Sequence, residues 1–389
     1  MNAHDMYFHP SAPLFRRMGM LAAVGASAFV IGLLVSPERA WWNLLLISIL
    51  LLSAGAGGAL FVAFACISGA SWSVALRRVP EAISALLPTG GAGLLAVLFF
   101  HPSLYPWSNA EVAHAMPPFR QWWLQPNFVR GRAIAFLALW ILLAALIQRA
   151  SRRQDVDASR LHTRKNVVSS AVLLVVFGLT YWLAAYDWIM SVQPAWSSTI
   201  FGMYNFAGLF VSSLAAIVIL LVWLRRRAPL HGIITTQHLH DCGKLLFAFS
   251  TFWMYLWFSQ YMLIWYANIP EEAAYYAQRQ QGLWAPLLLL NVALNWVVPF
   301  LALLPKRNKQ SAGVLVKVSI ALLAGRWLDL YLMIAPPLVG TRPRVGPLEL
   351  GMMAGAAGVV ALVFFNSFRK AAAVPINDPY LLESTHYHA

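Results

Sequence analysis

The sequence predicts an all-α integral membrane protein that crosses a bilayer about ten times, and three observations predict it. Hydrophobic residues make up 60% of the 389 positions and charged residues only 11%, a balance that leaves too little polar surface for a soluble domain of this size. Apolar blocks recur from about residue 18 to residue 368, with no separate soluble half. Basic residues gather in short clusters between the blocks, dense and sparse in alternation, as membrane topology requires.

About 20 apolar residues cross the hydrocarbon core. On that measure the first span, 18–35, follows a segment at 1–17 whose Arg16 and Arg17 imitate the basic start of a signal peptide. No small-residue cleavage site follows; Pro37, Glu38, Arg39 and Trp41 lead straight into the next apolar run. The span therefore reads as a retained helix. The second span, 42–68, is long enough to tilt or to run on into an interfacial stretch at 71–80. Further spans are expected at 83–100, 133–147, 167–186, 201–224, 245–265, 284–304, 314–334 and 348–368, together forming one membrane domain at 18–368.

Orientation follows from the cations. Connections on one side hold nineteen Lys and Arg residues, six of them between Arg149 and Lys165, against seven on the other. The positive-inside rule makes the richer side cytoplasmic, together with both termini. The longest outside loop, 101–132, is rich in aromatic residues and proline (Tyr105, Pro106, Trp107, Pro117, Trp122 and Trp123 among them). Such a loop suits covering a membrane face or meeting a partner better than folding alone. The cytoplasmic tail, 369–389, carries Pro375, Asn377, Asp378 and Pro379 and reads as extended.

A formal charge of +14 raises the question of nucleic acid. The longest basic cluster has no interleaved aromatic residues for base stacking, and topology accounts for it. Cys66 and Cys242 are the only cysteines, too few and too separate for a disulfide framework or an iron–sulfur site. All ten histidines fall in tails, loops or span ends, whereas an intramembrane haem needs histidine ligands at depth. No glycine-rich nucleotide motif follows a strand. The chain is expected to carry no metal ligands and no electron carrier of its own.

Ionisable side chains inside spans are costly and mark ion, proton or substrate paths by default. Arg326 and Asp329 in the ninth span are three residues apart on one helix face and can pair; a pair that only holds helices together is the competing reading. Lys317 lies near the cytoplasmic end of that span and can snorkel to the interface. Asp187 ends the fifth span at a depth similar to Arg326 and Asp329, so an outer polar cluster of the three is expected. On the inner side Glu81, His238, His240, Asp241 and Lys244 form a second titratable set, for which loop solvation is the bland alternative. Between the two levels lie Tyr255, Ser259, Gln260, Asn291 and Asn295, which either bond helix to helix or line a water wire. The seventh span is dense in rings from Phe252 to Tyr261, a surface that suits a flat apolar ligand such as a quinone.

Two long runs and one short one carry a resemblance. Asp187-Trp188-Ile189-Met190-Ser191-Val192-Gln193-Pro194-Ala195-Trp196, continuing into Ser198-Thr199-Ile200-Phe201-Gly202-Met203-Tyr204, resembles a signature of the two large membrane subunits of bacterial alternative complex III, a quinol:electron-acceptor oxidoreductase. Trp257-Phe258-Ser259-Gln260-Tyr261-Met262-Leu263-Ile264-Trp265-Tyr266, followed by Ala267-Asn268-Ile269-Pro270-Glu271-Glu272, resembles its F subunit in particular, as does Trp327-Leu328-Asp329-Leu330-Tyr331. The resemblance covers most of the predicted spans. It departs from the pattern at Gln193 and Ala195, where an acidic residue and a histidine are common.

The resemblance implies an NrfD-like fold, related to the membrane subunit of polysulfide reductase. There two four-helix bundles, here spans two to five and six to nine, are flanked by the first and last helices. It implies a cofactor-free subunit in the bacterial inner membrane, contributing proton-conducting groups, assembly contacts and a candidate quinone or quinol site. A homologous C-type membrane subunit, an iron–sulfur subunit and multihaem cytochrome subunits are its implied partners, and they hold the haem and clusters. On this reading Asp187, Arg326 and Asp329 are the outer proton-handling candidates, and Glu81, His238, Asp241 and Lys244 serve proton uptake from the cytoplasm. A secondary transporter is the alternative, but the glycine-rich run Ala54-Gly55-Ala56-Gly57-Gly58 of the second span has no counterpart in spans six to nine, as inverted repeats would require. A structural scaffold is the third reading.

Overall fold

The computed structural model describes residues 6–227 and 230–387. Every regular element among them is helical, and eight of the helices are long and apolar enough to cross a membrane. Such a chain is a multi-pass membrane protein in its overall character, because only helices or closed barrels satisfy every backbone group in lipid.

The first helix, α1 (Ala12–Val35), starts on Pro13 in its first turn, and α2 (Pro37–Ile67) starts directly on Pro37. Helix α2 does not run on into 71–80. It stops at Ile67, Gly69 takes a positive φ of 61°, and a separate 3-10 turn, Ser71–Leu76, leads into α3 (Arg78–Ile83). Both segments bury apolar side chains, Val74 to Leu76 and Val79 among them, so this stretch packs against the rest of the protein.

Helix α4 (Leu87–Phe100) completes the third span. The loop beyond it folds into two 3-10 turns and the short helices α5 (Ala110–His114) and α6 (Pro118–Trp123), then enters α7 (Pro126–Gln154). Helices α8 (Arg160–Trp188) and α9 (Phe201–Arg225) follow. Next come α10 (Thr236–Ala267) and α11 (Pro270–Arg279), an amphipathic helix outside the predicted spans.

The eighth span is α12 (Trp284–Val292), a π-helical turn at Ala293–Val297, and α13 (Val298–Leu303). The remaining elements are α14 (Lys306–Gln310), α15 (Ala312–Ile334), α16 (Pro336–Val339), α17 (Pro347–Phe368) and α18 (Leu381–Thr385). Two predicted spans, α10 and α15, are long helices that fall outside the eight. Trp, Tyr and Gln residues lower the mean hydropathy of α10, and α15 carries Lys317, Arg326 and Asp329.

Helices α2, α4, α7 and α8 pack in a ring, and α9, α10, α12–α13 and α15 pack in another; α2 and α9 join them. Helix α1 lies along α17. Their contact is close because Gly25 meets Gly355 backbone to backbone, and a Cβ on either residue would collide with the other's Cα. Small residues permit that approach where lipid supplies no hydrophobic drive between helices.

The tail is not extended. Ala371 to Val374 are buried, Ala373 N–H donates to Met6 O at 2.9 Å, and α18 is seated on the Ser71–Leu76 turn. Polar capping explains the difference: the Arg77–Asp378 ion pair (2.6 Å), Ala75 N–H to Ser384 Oγ (2.9 Å) and Ser384 Oγ–H to Trp72 O (2.7 Å) hold residues that lack an apolar pattern.

Candidate functional site

Within the second ring, α15 presents Arg326 and Asp329 on one face, as their three-residue spacing predicts. Arg326 Nη1 donates to Asp329 Oδ2 at 2.9 Å, and both side chains are essentially fully buried. Three other helices complete the arrangement. From α9, the Tyr204 hydroxyl donates to Asp329 Oδ1 and Asn205 Oδ1 accepts from Arg326 Nη2 at 3.3 Å. From α10, Trp253 Nε1 donates to Asp329 Oδ2 at 3.3 Å, and from α12, Asn291 Nδ2 donates to Oδ1 at 3.1 Å. A buried carboxylate with a counter-charge and three neutral donors is well held.

Local sequence makes room for these groups. A Cβ at Gly208 would stand 2.5 Å from Arg326 Nη1, and one at Gly325 would stand 2.8 Å from the Asn295 amide. Pro299 lacks an N–H, so the carbonyl four residues before it, that of Asn295, has no regular helical partner. The helix answers with the π turn at Ala293–Val297. Asn295 Nδ2 then donates to Asn291 O at 3.0 Å and to Asn291 Oδ1 at 2.7 Å. Asn295 Oδ1, Arg326 Nε and Ser319 Oγ, seven residues before Arg326 on α15, are buried without hydrogen-bond partners. They retain capacity to bond solvent.

The predicted polar lining divides. Gln260 faces inward, donating from Nε2 to Tyr276 Oη at 3.0 Å and accepting from Ser198 Oγ at 3.2 Å. Ser259 is half-buried, and Tyr255 is 64% exposed on the opposite face of α10. Beside Gln260, Tyr275 stacks on Trp196 with ring centroids 3.9 Å apart, and the Arg279 guanidinium lies 3.4 Å from the Tyr275 ring. Arg279 donates to Leu332 O (2.7 Å) and Met333 O (3.2 Å), carbonyls at the end of α15, where a cation complements the helix dipole. Burial pushes the Tyr275 and Tyr276 phenols up, so both stay protonated donors at neutral pH.

Asp187 does not join Arg326 and Asp329. Its carboxylate accepts from Arg132 Nε at 2.9 Å and from Trp123 Nε1 at 2.8 Å, both delivered by the folded loop and the start of α7. The Arg132 guanidinium lies 3.9 Å from the Trp123 ring centroid. Two separate ion pairs thus replace the expected outer cluster, because α7 supplies Asp187 with a nearer cation. Beside Asp187 is a cavity of about 420 Å³, walled by Phe119, Trp123, Met190 and Trp196 with Arg120 and Tyr186. Arg120 is engaged by Pro194 O (2.5 Å) and Tyr186 by Thr199 O (2.9 Å), whereas the Trp196 indole N–H is buried without a partner.

At the opposite, basic end the expected single set also separates. Arg78 bridges Glu81 (2.8 Å) and Asp155, and Gln148 Nε2 donates to Glu81 O at 2.8 Å. On α10, His238 closes a capping box with Thr235, its Nδ1 accepting from the Thr235 N–H at 3.0 Å. Asp241 pairs with Lys244, and His240 is buried beside them. The folded tail lies between the two groups, with Asp155 accepting from Ile376 N–H at 3.2 Å and the Tyr387 ring 6.0 Å from that of His238.

Sequence reasoning missed Tyr204 and Trp253 as partners of Asp329; each reads as an ordinary aromatic residue within an apolar run. It also missed Glu349, which accepts from Arg39 at 2.7 and 2.6 Å, from Asn43 at 3.0 Å and from the Gly346 N–H at 2.8 Å, tying α2 to α17. Its position at the start of a span was the available signal. His4 and His388 lie outside the described residues. Among those described, no group of three or more His, Cys, Asp or Glu side chains is placed to hold a metal ion. No protein-family model matches the chain, and a search of curated proteins finds no match to it.

Proposed function

We propose that this chain is a cofactor-free membrane subunit of a respiratory quinol:electron-acceptor oxidoreductase, similar to the F-type subunit of alternative complex III, and that it conducts protons through the centre around Asp329. The observation that carries the reading is that centre: a buried Arg326–Asp329 pair on α15 reached from three other helices, with unpartnered polar atoms on Arg326, Asn295 and Ser319. Ionisable groups at this depth are costly. Oxidising a quinol releases protons together with electrons, and a carboxylate flanked by a tyrosine hydroxyl and solvent-bonding capacity can hold and pass one. The helix rings support two four-helix bundles flanked by α1 and α17, and the basic clusters support cytoplasmic termini in a bacterial inner membrane.

In this reading iron–sulfur, multihaem cytochrome and C-type membrane subunits supply the redox groups. The cavity beside Asp187 fits a quinone ring better than the outward-facing Tyr255 does. Phe119, Trp123 and Trp196 offer flat walls for such a ring. A bound quinone would supply two-electron redox chemistry; this chain's residues would bind and orient its ring.

One observation favours a scaffold as the second reading, since Asp187, Asp329 and Glu349 each already face a cation. Mild solubilisation of the native membrane with a tag on this chain tests the assignment. Co-purification of haem-bearing and iron–sulfur subunits is expected. A homogeneous chain free of haem and iron would contradict it and favour a transporter.

A further inference from the structure

At the basic end, α7 and α8 run antiparallel and meet in a turn that concentrates six cations, Arg149, Arg152, Arg153, Arg160, Arg164 and Lys165. Their only acidic neighbours in the turn are Asp155, taken up by Arg78, and Asp157, which faces His162 Nε2 at 3.3 Å. Among the described residues, Arg149, Arg153, Arg164 and Lys165 have no ion-pair partner. A crevice of about 430 Å³ opens between the helices, lined by Arg149, Arg153, His162, Arg164, Lys165 and Ser169. A second, of about 470 Å³, shares Arg149, Arg153 and His162 and adds Arg152, Val156 and Asp157, the last facing His162.

His162 gives the place its specificity. It is only 8% exposed, it lines both crevices, and its Nδ1 is buried without a hydrogen-bond partner. Unpaired cations lining both crevices call for a ligand with several oxygen acceptors, and the His162 Nδ1, whose ring partner Nε2 faces Asp157, calls for a donor such as a water or a ligand hydroxyl.

The walls indicate what the acceptors are attached to. Leu146, Leu161 and Val168 line the first crevice together with the cations. From there an exposed apolar stripe runs along each helix, Leu139, Leu142 and Leu146 on α7 and Val168, Val172, Val175 and Leu179 on α8. These spacings keep each stripe on one helix face. On α7 the stripe continues through Arg149 to Arg153, so the basic mouth caps the apolar seam. A free phosphate uses only the mouth. A phospholipid uses both, its headgroup among the cations and its acyl chains along the seam.

We propose that this crevice binds the phosphate-bearing headgroup of an anionic phospholipid, whose chains lie along the α7–α8 seam. Basic pockets between membrane helices at the cation-rich side suit such headgroups. Bound there, the lipid fastens the outer edge of the first helix ring.

The test uses the purified chain in detergent, titrated with phosphatidylglycerol, phosphatidylcholine or inorganic phosphate, with thermal unfolding and native mass spectrometry as readouts. Phosphatidylglycerol is expected to raise the melting temperature and persist as a bound adduct, and phosphatidylcholine is not. The variant Arg149→Gln/Arg153→Gln/Lys165→Gln, altered only at unpaired cations, should lose the adduct, with affinity falling about fivefold per removed cation. A control with equal charge loss, Arg16→Gln/Arg17→Gln/Lys306→Gln, should keep it. The proposal is overturned if the crevice variant binds as the parent does. It is equally overturned if the control loses binding to the same degree, or if inorganic phosphate alone reproduces the stabilisation.

Discussion

Asp329 and Arg326 form a pair whose partners cannot be removed one at a time without cost. Replacing one member of a buried pair leaves an uncompensated charge, at about 3–5 kcal/mol. Asp329→Asn is therefore expected to lower thermal stability in detergent by that order, and Asp329→Asn/Arg326→Gln to recover most of the loss. A double variant less stable than the single would remove the ion pair as the organising interaction. The same reasoning applies to Glu349, which accepts from Arg39, Asn43 and the Gly346 N–H. Glu349→Ala should cost several kcal/mol, about 3–5, whereas Glu349→Gln, which keeps an acceptor, should cost less. Equal losses for the two would show that the carboxylate charge, and not shape or a retained acceptor, ties α2 to α17.

At the scale of elements, helix positions were legible and their junctions were not. All ten predicted spans fall within or nearly within helices, because apolar length is a strong signal. The break after Ile67 rests on one positive-φ glycine, and the π turn of the eighth span rests on Pro299 four residues beyond Asn295. Neither changes the hydropathy that reveals a span. The pairing of Arg326 with Asp329 was readable from spacing within one helix. The partner of Asp187 was not, since Arg132 is 55 residues away and arrives only when the aromatic loop folds. Gly208 and Gly325 are the space that the Arg326 and Asn295 side chains occupy, a role that neither composition nor hydropathy reveals. Close approach also governs α1 and α17. Gly25→Leu should separate them and destabilise the protein by about 1–3 kcal/mol, the usual penalty of overpacking, measured by thermal unfolding. Unchanged stability would show that their contact contributes nothing.

At the scale of the whole molecule, the folded tail links regions that sequence kept apart. It caps Arg77 through Asp378, touches Asp155 through Ile376 and Asn377, and reaches the His238 region through Tyr387. Removing residues 371–389 strips the partly buried Arg77 of its partner and uncovers the Ser71–Leu76 turn, and a loss of about 3 kcal/mol is expected, with new proteolytic cleavage near Ser71–Leu76. Resistance of the truncated chain to both heat and protease would contradict that role. The buried centre in the second helix ring is the feature that separates a proton conductor from a scaffold, and the neutral double variant isolates it because charge balance is kept. The decisive measurement is proton release per quinol oxidised by the proposed complex reconstituted in vesicles, comparing parent and Asp329→Asn/Arg326→Gln. Proton conduction through Asp329 requires the ratio to fall while the complex remains assembled and still oxidises quinol. An unchanged ratio in an assembled, active complex would contradict it and leave this chain a scaffold.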